Sequence, residues 1–349
     1  MASKKIAIIG GLGIIGRNFL HHLEDVGGWE IVALSRRSPD FKTKAEFISV
    51  NLRDRAETEK RLGGIKDLTH IMYAALDGGI AADSVDANLE LLVNPVSVLE
   101  ARNPRLERIV LQEGGKCYGR HIGPFKTPAK ETDARHLPPN FYYDQEDFLR
   151  KLQKGKRWTW SALRPEPVIG FAVGNAMNLA TQLAVYACVM KSYGLPLDFP
   201  GKPGTWTAVS EMTDADLLAR ATLFAATSPN AANQAYNVTN GTFFRWCNIW
   251  TALARFFDME PGIVRPMLLT NFMADKAPVW DAIVKRHKLK PYKLADLAAW
   301  PFIDFVMQAD WDVALDNSKR IQHGCTDVID TQEMYLNLFA RFRREKIIP

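Results

Sequence analysis

Continuous aliphatic runs alternate with amphipathic ones along the first half of the chain. Lys4–Ile9 is an unbroken apolar, β-branched stretch after its two lysines, the pattern of a parallel strand buried on both faces. It runs through a glycine turn into a helical pattern over 14–23. Apolar runs at 30–34, 47–50 and 70–75 predict three further strands. A helical pattern over 85–101 precedes a fifth strand at 108–112, and 158–163 predicts a sixth. Strands and helices alternating through short loops predict an α/β chain with a Rossmann-type, doubly wound parallel sheet. Beyond Pro165 the alternation weakens. Positions 175–192 and 214–227 read as helices and 235–238 as a short strand, and from Phe243 onward the chain is mostly helical and rich in tryptophan and phenylalanine. The expected division is a sheet domain over 1–170, rejoined by 205–240, with a mostly helical substrate-binding cap over 171–204 and 241–349.

Composition narrows the picture. A chain of 349 residues, 47% hydrophobic and 24% charged, easily buries a core of this kind. The net charge of +5 is spread along the chain without a basic run, so no nucleic acid partner is expected. The cysteines Cys117, Cys188, Cys247 and Cys325 are scattered and form no CxxC pair, which argues against a zinc or disulfide framework and suits a reducing, cytoplasmic setting. No metal site is expected. The apolar stretch near 179–190 is interrupted by Gln182 and too short to span a bilayer.

Chemistry enters at the first turn. Gly10, Gly13 and Gly16 make GxxGxxG, and Gly11, Gly13 and Gly16 also fit GxGxxG. Placed between a strand and a helix that begins at Ile14 and Ile15, this pattern predicts a dinucleotide site, with the pyrophosphate at the helix N-terminus. An acidic residue closing the second strand would bind ribose hydroxyls and favour NAD. Here Ser35, Arg36 and Arg37 stand there instead, and guanidinium groups fit a 2′-phosphate, so NADP(H) is the expected cofactor. Asn51 and Leu52 are placed to touch the adenine, and the small Ala74 and Ala75 let the cofactor lie close. Gln112 and Val168, near the ends of the fifth and sixth strands, complete the candidate cofactor contacts.

The stretch FYYDQEDFLRK, residues 141–151, opens a helix on two tyrosines, yet no lysine follows either one at the helical spacing usual for a reactive tyrosine. A lysine does stand in LQEGGKCYGRHIGPF, the loop after the fifth strand, where ligands bind in such sheets: Lys116. The segments GGLGIIG, SRR, GGKCYG…GPF, NFYYDQEDF, RPEPVIGF and KIIP together resemble the progesterone 5β-reductase/iridoid synthase family, an atypical branch of the extended short-chain dehydrogenases/reductases. The resemblance covers essentially the whole chain. It implies that Lys116 and Tyr142 are the catalytic pair. It also implies that the chain reduces the C=C bond of enones with NADPH. Charge then grows on the carbonyl oxygen, a phenol aimed at that oxygen stabilises it, and a nearby ammonium lowers the phenol pKa.

The chain departs from the family pattern in places. Glu113 stands where many relatives have threonine, and either turns away, toward Arg120 or Lys116, or alters the chemistry. The 116–125 loop is longer than in the plant enzymes, Pro167 replaces an asparagine of some steroid-reducing relatives, and Asn51 replaces a common acidic residue. Phe125, Met177 and Asn178 are expected at the substrate, with Trp206, Phe302 and Phe305 as candidate walls of an apolar pocket for a small hydrophobic enone or carbonyl compound. Tyr143 is expected in the core or just behind the site; Tyr118 and His121 are left open. Two alternatives stand: a carbonyl reductase of the same fold, using the same tyrosine and lysine, and a protein that binds NADP(H) without turnover. A homodimer is the default for the fold.

Overall fold

The computed structural model describes residues 4–77, 84–175 and 177–349. Its strands are β1 (Lys4–Ile9), β2 (Trp29–Ser35), β3 (Glu46–Ser49), β4 (His70–Tyr73), β5 (Arg108–Gln112), β6 (Thr159–Pro165), β7 (Val168–Ile169), β8 (Leu197–Phe199), β9 (Thr213–Asp214), β10 (Gln234–Val238) and β11 (Pro261–Val264). Seven of them make one sheet in the order β10-β6-β5-β4-β1-β2-β3, paired in parallel throughout. Its interior strands carry the aliphatic runs of the sequence because both faces are covered: Ile6, Ala7, Ile8 and Ile9 have no exposed surface.

Helices α1 (Ile14–Val26), α2 (Arg55–Leu62), α3 (Val85–Arg102), α4 (Phe141–Gln153) and α7 (Ala215–Thr227) flank it, while α5 (Leu179–Ser192), α6 (Pro203–Thr207) and α8 (Trp246–Phe256) belong to the cap. α1 and α7 pack together on one face, while α3 packs on α2 and α4 on the other. The register aligns Ile9 with Leu34 and Tyr73, Tyr73 with Leu111, and Gln112 with Leu163, so five strands end at one edge. The chain leaves β1 toward β2 on one side and returns to β4 on the other. The crevice between those two crossovers is where an open α/β sheet binds its ligand.

Two of the differences from the periodicity have a local cause. α2 went unpredicted because it carries almost no apolar face: only Thr58 and Leu62 are buried, and it is started by the Asp54 carboxylate accepting from the Glu57 N–H at 3.0 Å. The helix expected from 175 starts at Leu179, because Asn178 caps it through the Thr181 N–H at 3.4 Å.

β7 pairs with β9, and β8 with β11, at the base of the cap. α5 runs through the cap's centre with twelve buried residues, and Trp246, Trp250, Trp280, Phe199, Tyr335 and Phe339 close round it. The aromatic contacts are mostly edge-on or tilted, such as Phe199 to Trp250 at 5.1 Å and Phe257 to Phe339 at 5.2 Å. Among the described residues no helix is long and apolar enough to cross a membrane.

Candidate active site

The glycine turn shapes a cleft of about 340 Å³ over the sheet edge. Gly10 has φ +93°, a conformation costly for other residues, and a Cβ there would lie 2.9 Å from the backbone of Ala74 and Ala75. The Gly13 N–H donates to the Gly10 carbonyl at 3.0 Å and closes the turn. Gly13 precedes α1 with no side chain capping it, so the free N–H groups of the first turn, at Ile14 and Ile15, border the cleft. This cradle fits a pyrophosphate: it is narrow, apolar beneath and positive at the helix end.

Around the cleft stand residues 35–37 after β2, 51–53 after β3 and 74–77 after β4, with Met177 from the cap. These include Ser35, Arg36, Arg37, Asn51, Leu52, Ala74 and Ala75. Gly16 lies underneath, packed on the Gly10 carbonyl. Arg36 and Arg37 are exposed, and Arg37 donates to the Val173 carbonyl at 3.2 Å, which ties the end of β2 to the cap loop. The acidic residue at the rim, Asp77, is held by Arg53 at 3.3 Å, and Asp40 is held by Arg17 at 2.8 Å.

Ile14, Ile15, Leu76 and Met177 also border a second space of about 150 Å³, so the cleft continues into an inner chamber. The loop after β5 and the start of α4 build its floor. Asn140 caps α4 by accepting from the Tyr142 N–H at 3.2 Å, and its amide donates to the Lys116 carbonyl at 2.8 Å. One buried side chain thereby ties the lysine loop to the tyrosine helix. Both Lys116 and Tyr142 line the chamber. The Tyr142 hydroxyl lies against Gly114, 3.4 Å from where a Cβ would stand. Val168, Phe302 and Phe305 complete the wall. Burial, followed by the neighbouring Cys117, Glu113 and Glu166, holds the Tyr142 phenol well above its ordinary pKa. The depressed phenol expected from the sequence is therefore not what this geometry produces: Tyr142 stands as a neutral hydrogen-bond donor.

Glu113 turns to neither Arg120 nor Lys116. Its Oε2 accepts from Arg164 Nε at 2.7 Å and from the Cys117 thiol at 3.3 Å. Arg164 also donates to Glu146 at 2.9 Å and to the Tyr118 hydroxyl at 3.2 Å, and lies over the Tyr118 ring. Complete burial pushes Glu113 up to about 7, with Arg164 pulling it back. On Glu146 burial acts upward too, but Arg164 and Arg150 outweigh it and its pKa is lowered.

Several expected residues lie elsewhere. Phe125 packs with Tyr118, Ala129 and Leu315 beside the chamber and is absent from its lining. Asn178 is fully buried and bonded to the Ala172 carbonyl at 3.1 Å. The Gln112 side chain turns to Thr222 of α7 at 2.9 Å. Trp206 packs on Phe199 in the cap core at 4.9 Å. Tyr143 lies where it was expected, in the core just behind the site: it is buried and its hydroxyl donates to the Cys117 carbonyl at 2.6 Å, propping the loop. His121 faces His136 at 5.7 Å. Sequence reasoning missed Asn140, Arg164 and the pair Arg120–Glu166. Asn140 alone had a readable signal, as an N-cap residue before a helix.

A PRISE-like Rossmann-fold domain matches residues 50–349. The chain is 33% identical over 363 residues to an (S)-8-oxocitronellyl enol synthase of Nepeta racemosa, covering 98% of this chain and 92% of that one. It is 30% identical over 376 residues to a short chain dehydrogenase of Penicillium aethiopicum, covering 99% of each. Among solved structures, UDP-glucose 4-epimerase from Thermotoga maritima superposes with a TM-score of 0.70 at 16% identity, over 98% of this chain and 99% of that one. Bordetella bronchiseptica WbmH, solved with NAD+, gives 0.66 at 18%, over 97% and 98%. At such identity the structural likeness establishes the fold alone.

Proposed function

Because the chain belongs to the PRISE-like Rossmann-fold family and is an oxidoreductase, we propose that it reduces the C=C bond of α,β-unsaturated carbonyl compounds with NADPH. The observation that carries this reading is the shared chamber: Lys116 and Tyr142, from segments far apart in sequence, border one small space continuous with the dinucleotide cleft.

NADPH, when bound, supplies the hydride that adds to the β-carbon. The glycine turn and the first turn of α1 would hold its pyrophosphate, and Arg36 and Arg37 its 2′-phosphate. Tyr142 donates a hydrogen bond to the carbonyl oxygen as negative charge grows there, a task that suits a neutral phenol, and the enolate so formed takes a proton from water at its α-carbon to give the saturated carbonyl. Lys116 brings a second hydrogen-bond donor to the same space. Met177, Phe302 and Phe305 exclude water and shape the site for an apolar enone.

Product analysis with 2-cyclohexen-1-one and NADPH is the deciding test. Cyclohexanone is the expected product. Allylic alcohol would assign the chain to carbonyl reduction instead. No NADPH consumption across a broad panel of enones and aldehydes would favour a nucleotide-binding protein without turnover.

Cofactor choice has its own test. Replacing Arg36 and Arg37 together by alanine should weaken NADPH binding by about 10- to 100-fold, the loss of one or two charge-assisted hydrogen bonds. NADH affinity should stay nearly constant. Fluorescence titration with both nucleotides reads the ratio, and an unchanged ratio would remove the phosphate clamp.

A further inference from the structure

Arg120 and Glu166 are only 7% and 3% exposed, yet both line the chamber. Arg120 Nε lies 2.9 Å from Glu166 Oε2, out of line for a hydrogen bond. The other carboxylate oxygen, Oε1, is buried without a partner. It packs against Gly115, a residue of the chamber wall, 1.8 Å from where a Cβ would stand. The guanidinium rests on the Phe305 ring at 5.1 Å.

Other buried arginines of this chain are held by partners within the protein, although Arg108 Nε, like Arg120 Nε, is left without one. Arg164 donates to two carboxylates and a phenol. Arg320 bonds Asn317 and the carbonyls of Cys325, Asp327 and Thr239. Arg108 bonds Ser161 and the carbonyls of Ala225 and Ser228. Arg17 meets Asp40, a carboxylate that reaches water. Glu113 Oε1 also lacks a partner, but its other oxygen is already taken by Arg164 and Cys117. A buried ion pair with poor alignment and an orphaned oxygen is a poor stabilising device, because desolvation outweighs what one contact returns. Filled by a ligand group that both donates and accepts, the same pair becomes a satisfied network.

We propose that Arg120 and Glu166 form a polar subsite that reads a hydroxyl on the enone substrate. The hydroxyl donates to Glu166 Oε1 and accepts from the Arg120 guanidinium. The carbonyl meanwhile faces Tyr142 in the same chamber. The preferred substrates are then hydroxylated enones. This rests on the reductase reading above and narrows its substrate class.

The test compares 2-cyclohexen-1-one with its 4-, 5- and 6-hydroxy derivatives, in the wild type and in the double variant Arg120→Leu/Glu166→Leu. In the wild type, at least one hydroxylated isomer should exceed the parent by about tenfold in kcat/KM, the discrimination one good hydrogen bond gives. In the double variant that ratio should fall to within about threefold of unity. Exchanging a whole buried ion pair for apolar residues is often tolerated. Should the variant not fold by circular dichroism, the wild-type ratios decide on their own. If the parent is turned over and no hydroxylated isomer exceeds it, the pair is a structural pin and the subsite is wrong. An advantage that survives in the double variant also overturns it. Failure of every enone, parent included, would instead strike the reductase reading.

Discussion

Replacing Tyr142 by phenylalanine should lower kcat for enone reduction by about 10²- to 10³-fold, the usual loss when one donor to a developing oxyanion is removed. NADPH affinity should move by less than about threefold, because the ring stays and only the hydroxyl goes. The hydroxyl lies against Gly114, in the wall of the chamber, and among the described residues it has no hydrogen bond of its own. Removing it therefore disturbs no internal network. The neighbouring Tyr143→Phe is the informative contrast. That hydroxyl bonds the Cys117 carbonyl at 2.6 Å and accepts from the His136 N–H at 2.9 Å, so its loss should destabilise the fold by about 1 to 2 kcal/mol. Turnover should survive in that variant. Stopped-flow measurement of NADPH oxidation, with thermal denaturation of both variants, separates the two outcomes. Equal loss of turnover in both would mean that the tyrosines act only by holding the loop and helix together.

The architecture was legible where a local pattern and a tertiary role coincide. The runs at β1 and β5 are buried on both faces, so their sequence had to be continuously apolar, and they were placed to the residue. The glycine turn was readable for the same reason: a positive φ at Gly10 and a close approach at Gly16 admit little else. Lys116 and Tyr142 were paired through the resemblance of their motifs, since nothing in local periodicity says that residue 116 and residue 142 share a cavity. Side-chain direction was the main loss. Gln112 ends the right strand but faces Thr222 on α7, and Asn178 opens α5 but spends its amide on capping. Arg164 and Glu113 sit in segments the sequence did single out. Their pairing depends on β5 lying beside β6, with Gln112 opposite Leu163, which a one-dimensional reading cannot see.

Gly16→Ala should be the most damaging single methyl in the dinucleotide half of the molecule. A Cβ at Gly16 would stand 2.3 Å from the Gly10 carbonyl oxygen and 2.9 Å from its carbon. Both are backbone atoms, so no side chain can rotate aside. That carbonyl also accepts the Gly13 N–H at 3.0 Å, and Gly10 in turn is pressed on Ala74 and Ala75. Relief must therefore push α1 away from β1 or open the turn, and either displaces the N–H groups at Ile14 and Ile15 from the pyrophosphate position. The expected result is a stability loss of about 3 kcal/mol or more and NADPH binding weakened beyond about 100-fold. Gly64→Ala is the control. A Cβ there meets nothing within 4 Å, and its φ lies outside the left-handed range, so stability should hold or rise slightly through a stiffer unfolded chain. Chemical denaturation and nucleotide titration of the two variants measure both quantities. A Gly16→Ala protein that binds NADPH like the wild type would show that the turn can yield, and that the spacing of its glycines is not what places the cofactor.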